Sequence, residues 1–186
     1  MAQQLPNRLI NVTEFEGMFA SGVFKGDERL ELLEGGIYKM SPVGAIHMAC
    51  VKFLSRFFHQ YFGDRFTISI QDPVRLAEFS EPQPDIALLI HREDFYRNAM
   101  PTAADVLIVI EVADSTLESD RRYKMPLYAQ AEIPEAWLVD LPEERIEVYS
   151  EPKNGTYQLT RIFQREDVVK SHTQSEIEIS VNDILG

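Results

Sequence analysis

The sequence predicts a mixed α/β domain of the α+β kind, a central mixed sheet flanked by helices. Three observations predict it. VLIVIEVA, residues 106–113, is the most β-prone run in the chain and reads as a central strand. IALLI, residues 86–90, is short, apolar and β-branched at both ends, and reads as a buried strand. From 45 to 61, Ile46, Ala49, Cys50, Phe53, Phe57 and Tyr61 recur at intervals of three and four, which makes one face of an amphipathic helix.

The other elements follow in order. TEFEGMFASG carries Thr13 and Glu16 at capping-box spacing and reads as a short helix. RLELLEGGIYKMSP reads as two strands around the turn dipeptide Gly35-Gly36. The long helix comes next and stops at Gly63-Asp64. FTISI and PVRLA are two short strands, or one strand bent at Asp72-Pro73. Pro82 and Pro84 lock φ and hold their predecessors extended as the chain enters IALLI. HREDFYRN reads as a charged helical turn before the central strand. STLESDRRYKMPLYAQAEIP is a loop and a helix ending near Ala131; Pro126 makes that helix begin near Arg122 or kink. EAWLVD and RIEVYS form a hairpin about LPEE, strands lie near TYQLTRIF, and VNDIL is one helical turn. With no repeat or linker, the 186 residues are expected to form a single domain.

Composition narrows the function. A 45% hydrophobic and 10% aromatic chain is globular. No apolar run approaches the ~20 residues that span a bilayer, and MAQQLPNRLI lacks the pattern of a signal peptide, so a cytoplasmic, non-membrane protein is expected. The one cysteine, Cys50, excludes an internal disulfide, fits a reducing compartment and reads as core. A net charge of −12 argues against broad, charge-driven binding to nucleic acid and leaves room only for a local basic patch. Phosphate loops, dinucleotide fingerprints and zinc cysteine pairs are absent. Ser115 lies in ADST, not in a G-x-S-x-G elbow, which speaks against a serine hydrolase. Phe53, Phe57, Phe58 and Tyr61 at helical spacing read as core, not as a stacking platform, and Trp137 reads as packing beneath a strand.

Asp85 opens the strand IALLI, and Glu111 stands near the end of VLIVIEVA. A carboxylate in such a place is costly unless it is paired. If the two strands are antiparallel neighbours, the start of one lies beside the end of the other, and the two carboxylates converge at one sheet edge. Converging carboxylates repel unless a cation stands between them, and Mg²⁺ is typically held by a few carboxylates plus waters. Arg121, Arg122 and Lys124 follow near the same edge. Lys124 either points back at the carboxylates or pairs with Asp120 at i, i+4 on the surface. Gln71, just before Asp72-Pro73, is a further candidate for the same edge.

A proline-aspartate at a strand start, followed by an acid inside an apolar strand, resembles the PD-(D/E)XK nuclease superfamily. ERLELLEGGIYKMSP, EPQPDIALL, VIEVADST with D-x-x-x-K-x-x-LYA, and IPEAWLVD, in that order over roughly residues 29–150, resemble the Uma-two (Uma2) family of restriction-endonuclease-like proteins. The resemblance implies a restriction-endonuclease-like fold and Mg²⁺-dependent hydrolysis of DNA phosphodiesters, with Mn²⁺ a substitute. It implies Asp85 and Glu111 as metal ligands. Glu31 matches an acid of the family's first hairpin and is a candidate third ligand, against a solvent-facing strand position. His47 matches a family histidine and is a candidate catalytic residue at phosphate or metal, against a capping role.

The sequence departs from the superfamily pattern two residues after Glu111, where a lysine is expected and Ala113 stands. In the family that lysine moves to the following helix, at Lys124. Smaller departures are Glu132, where the family tends to have glycine, and Gly36, where it often has an acid. The expected activity is metal-dependent endonucleolytic cleavage by Asp85, Glu111, Lys124 and His47. DNA is the expected partner, and a homodimer is compatible with it. The alternative is a nuclease-like fold kept as a protein-binding or assembly module, which Ala113 and the net acidity favour.

Overall fold

The computed structural model describes residues 7–25 and 27–186. Its centre is a six-stranded mixed sheet in the order β3 (Phe66–Ile70), β4 (Ile86–Ile90), β5 (Val106–Ala113), β6 (Glu135–Asp140), β7 (Arg145–Lys153), β8 (Thr156–Phe163). Only β5 and β6 are parallel; the remaining neighbours are antiparallel. The parallel pair needs a crossover. It is supplied by α3 (Leu117–Ser119), a π-helical turn (Asp120–Lys124) and α4 (Met125–Gln130).

Alternation along β5 divides the core. Ile108, Ile110 and Val112 face α2 (Ala45–Phe62), packing with Leu54, Phe58 and Trp137. Val109 and Ala113 face the crossover, with Met125, Tyr128 and Ile133. Glu111 shares that parity and so is directed under the crossover helix. A second, two-stranded sheet, β1 (Leu30–Leu33) with β2 (Gly36–Lys39), packs with α1 (Val12–Ala20) through Val12, Phe15, Leu30 and Leu32. β9 (Val168–Lys170), β10 (Glu178–Ser180) and α5 (Val181–Leu185) close the α2 face. Glu135, fully buried, pins this end: it accepts from Trp137 Nε1, from the Ser171 and Thr173 hydroxyls and from the His172 and Thr173 backbone.

Several local expectations shift. The α1 capping box is Asn11 with Glu14, two residues earlier than the Thr13–Glu16 spacing predicts, because Asn11 holds the extended N-cap geometry. The hairpin turn is Glu34-Gly35, both at positive φ, while Gly36 already pairs with Leu33. PVRLA makes only isolated bridges at Arg75 and Ala77, and Pro73 brings no donor to extend them. HREDFYRN forms turns in place of a helix, since Phe95 and Tyr96 both adopt left-handed φ. On α2 the buried stripe is Cys50, Val51, Leu54, Phe58 and Phe62, one residue round from the predicted face, leaving Ile46 and Tyr61 exposed. The crossover helix begins at Leu117, not Arg122, and Pro126 stands in the first turn of α4, directly after the π turn. The wide i→i+5 pattern of the π turn leads into a residue that brings no N–H. No helix among the described residues is long and apolar enough to cross a membrane.

Candidate active site

The antiparallel register of β4 with β5 sets Ile86 opposite Ile110, which brings Asp85 beside the end of β5. Asp85 is buried and accepts three hydrogen bonds. The Val112 backbone N–H and His47 Nε2 lie 2.9 Å from Oδ2, and Gln71 Nε2 lies 2.9 Å from Oδ1. Gln71 reaches it because it turns to φ 56° directly after β3, and its own N–H bonds the Asp85 carbonyl. Burial raises the Asp85 carboxyl, but the bonds from His47, Gln71 and Val112 outweigh it and hold the group below its ordinary value.

Glu111 lies deeper. The Tyr128 hydroxyl donates to Oε1, and Lys124 Nζ stands 3.1 Å from the same oxygen. Burial pushes the Glu111 carboxyl up to about 8. Lys124 opposes that rise, and the charges of Asp120, Asp85 and Glu31 add to it. Lys124 is 7% exposed. Burial alone would lower its ammonium, but Glu111, Glu31 and Asp120 raise it above its ordinary value.

Glu31 arrives from the small sheet. Leu32 and Glu81 exchange backbone hydrogen bonds, docking β1 against the segment leading into Asp85. Glu31 is thereby buried, 3.1 Å from Lys124 Nζ, and does not face solvent. Asp120, on the π turn, accepts from the Thr116 hydroxyl, and burial raises its carboxyl.

Glu31, His47, Asp85, Glu111 and Lys124 all line one cleft of about 340 Å³, and Gln71 bonds Asp85 from behind. Lys124 takes the inward of its two predicted positions, bonding Glu31 and Glu111 and not Asp120. The Ala113 methyl is fully buried against the crossover, so a lysine there would meet Met125 and Tyr128, whereas Lys124 reaches the acids from that same helix. Sequence reasoning did not place Asp120 or Tyr128 at the site: Asp120 entered only as a surface partner for Lys124, and Tyr128 only as a letter of the LYA motif. Both were findable at one helical turn either side of Lys124. Cys50 stays in the core, its thiol pushed up to about 12 by burial and by Asp85.

The donor set is side-chain oxygen with one imidazole, which suits a hard divalent cation. Among the described residues no three His, Cys, Asp or Glu side chains already form a metal cage.

The Uma2 family model, described as "Putative restriction endonuclease", matches residues 12–182. A solved structure described as a putative nuclease belonging to DUF820, from Anabaena variabilis, superposes with a TM-score of 0.71. The match covers 95% of this chain and 97% of that one, at 16% sequence identity, a likeness of fold. No curated protein sequence matches the chain.

Proposed function

As the chain belongs to the Uma2 family, whose nuclease-like fold it carries, we propose that it is a metal-dependent endonuclease that hydrolyses DNA phosphodiester bonds. The observation that supports this is an excess of buried acidic groups: four buried carboxyl groups, of Glu31, Asp85, Glu111 and Asp120, line one cleft with a single buried ammonium, Lys124, and the exposed Glu34 and Asp114 line it as well. Such a cleft favours a cation. Mg²⁺ usually takes one or two protein carboxylates and keeps several waters, so Asp85 and Glu111 would hold it, with Glu31 beside them. When bound, such an ion polarises a phosphate and lowers the pKa of water.

The chain's own residues do the rest. Val112, Gln71 and His47 fix Asp85 in one orientation, ionised. Lys124 has three N–H donors; Glu31 and Glu111 take two, and the third serves a phosphoryl oxygen, where negative charge develops. In the overall reaction the oxygen of water bonds to phosphorus and the bond to one ester oxygen breaks, leaving a phosphate monoester and a hydroxyl. His47 acts as a positioning residue through Asp85.

Incubation with supercoiled plasmid and single-stranded DNA, in Mg²⁺, Mn²⁺ or EDTA, tests the reading. Metal-dependent cutting lost in Asp85→Asn, with a nearly unchanged melting temperature, is the expected result. Cutting that survives the substitution overturns the assignment. The net charge of −12 favours a second reading, a nuclease-like binding module. No cutting and no metal-induced stabilisation would select it.

A further inference from the structure

Two tyrosines stand at the rim of the cleft, and the chemistry above uses neither. Tyr38 lies on β2 and Tyr123 on the π turn; they are 52% and 51% exposed, yet both line the cleft that holds Asp85, Glu111 and Lys124. Rings this open contribute little to the core. Tyr38 lies back over Gly36, where an added methyl group would stand 2.8 Å from Cε2. The glycine at 36 thus seats the ring along the hairpin. The Arg122 guanidinium lies 5.4 Å from the centre of the Tyr123 ring. Arg29 and Lys39 line the same cleft, and neither enters an ion pair among the described residues. In a chain of net charge −12 these are the local cations that a nucleic acid requires.

Size and depth restrict what can enter. A cleft of about 340 Å³ lies near the low end of the ~300–1,000 Å³ range of small-molecule pockets. Asp85, Glu111 and Lys124, at its floor, are each 7% exposed or less. A single nucleotide of an unpaired strand is of the size that such a volume takes. Exposed aromatic rings beside cations are also the combination that holds unpaired bases, because every base presents a face for stacking.

We propose that the substrate enters as an unpaired DNA strand, single-stranded or locally opened, with bases flanking the scissile phosphate stacked on Tyr38 and Tyr123 and with Arg29 and Lys39 on the neighbouring phosphates. The proposal rests on the nuclease reading of the same cleft.

Fluorescence anisotropy tests it, with a labelled short oligonucleotide presented as a single strand and as a blunt duplex of the same sequence. Two non-cutting forms are used, Asp85→Asn in Mg²⁺ and the unsubstituted protein in EDTA. The single strand is expected to bind at least tenfold more tightly than the duplex. Tyr38→Ala and Tyr123→Ala should each weaken that binding about tenfold, with Tyr38→Phe and Tyr123→Phe restoring it and melting temperatures unchanged throughout. Equal affinity for the duplex, or alanine variants that bind as the parent does, overturns this proposal while metal-dependent cutting of plasmid keeps the nuclease reading intact. Absence of both binding and cutting overturns the two together.

Discussion

Lys124 Nζ and Glu111 Oε1 stand 3.1 Å apart at the floor of the cleft, one group carried on the π turn and the other on the central strand. Both are almost wholly buried. Removing one partner of a buried pair leaves a charge with no compensation, which costs about 3–5 kcal/mol. Lys124→Met should therefore destabilise the fold by roughly that much, because Glu31 and Glu111 lose their shared donor. The double variant Glu111→Gln with Lys124→Met should recover part of the loss. Chemical denaturation of the four proteins in the cycle measures the coupling; strict additivity would show that the pair does not interact.

Divalent ions should raise the melting temperature, since a ligand that binds only the folded state stabilises it by about 2.7 kcal/mol at a hundredfold excess over Kd. Glu111→Gln should remove most of that gain, and EDTA should reverse it. Thermal melts over a Mg²⁺ titration read both. A gain that persists in the variant would place the ion elsewhere.

Glu132 should be a site of cheap stabilisation. It follows α4 at φ 58°, with its own N–H on the Ala129 carbonyl and the Ile133 N–H on the Tyr128 carbonyl. That is a Schellman motif with glutamate at the left-handed position, where glycine avoids the steric cost. Here the family tends to have glycine. Glu132→Gly is expected to gain up to about 1 kcal/mol, some 2–4 °C in Tm. A drop in Tm would mean that the Glu132 side chain makes a contribution larger than the backbone strain it imposes.

Acid stability should depend on Glu147. Burial raises its carboxyl, but hydrogen bonds from Arg121 and Tyr149 and the charge of Arg145 together hold it below its ordinary value of 4.5. A group depressed in the folded state stabilises above its unfolded pKa, and that contribution is lost as pH falls through the folded value. Melting temperature should therefore fall as pH drops below about 4.5. Glu147→Gln, less stable at neutral pH, should show a shallower decline over that window. Parallel curves for the two proteins would refute the assignment.

The chain order of apolar runs was enough to read the fold class; it set Asp85 beside Glu111 only on the condition that the two strands pair antiparallel, which the register of β4 with β5 supplies. VLIVIEVA and IALLI are too apolar to be anything but buried strands, and antiparallel pairing then puts the start of one beside the end of the other. Periodicity could not choose between the two adjacent apolar stripes of α2. Both Phe57 and Phe58 fit a helical repeat, and only packing of Phe58 against Trp137 decides which faces the sheet. The same limit applied to Glu31 and Lys124, each of which also reads as a surface residue. Docking of β1 on Glu81 buries the first, and the π turn rotates the second inward. The rim tyrosines lay beyond the sequence altogether, since a tyrosine on a strand or helix is core or surface according to what covers it. Local patterns determined the elements and their parity; the contacts between elements, which carry no signature in a run of residues, decided which charged groups share one buried space.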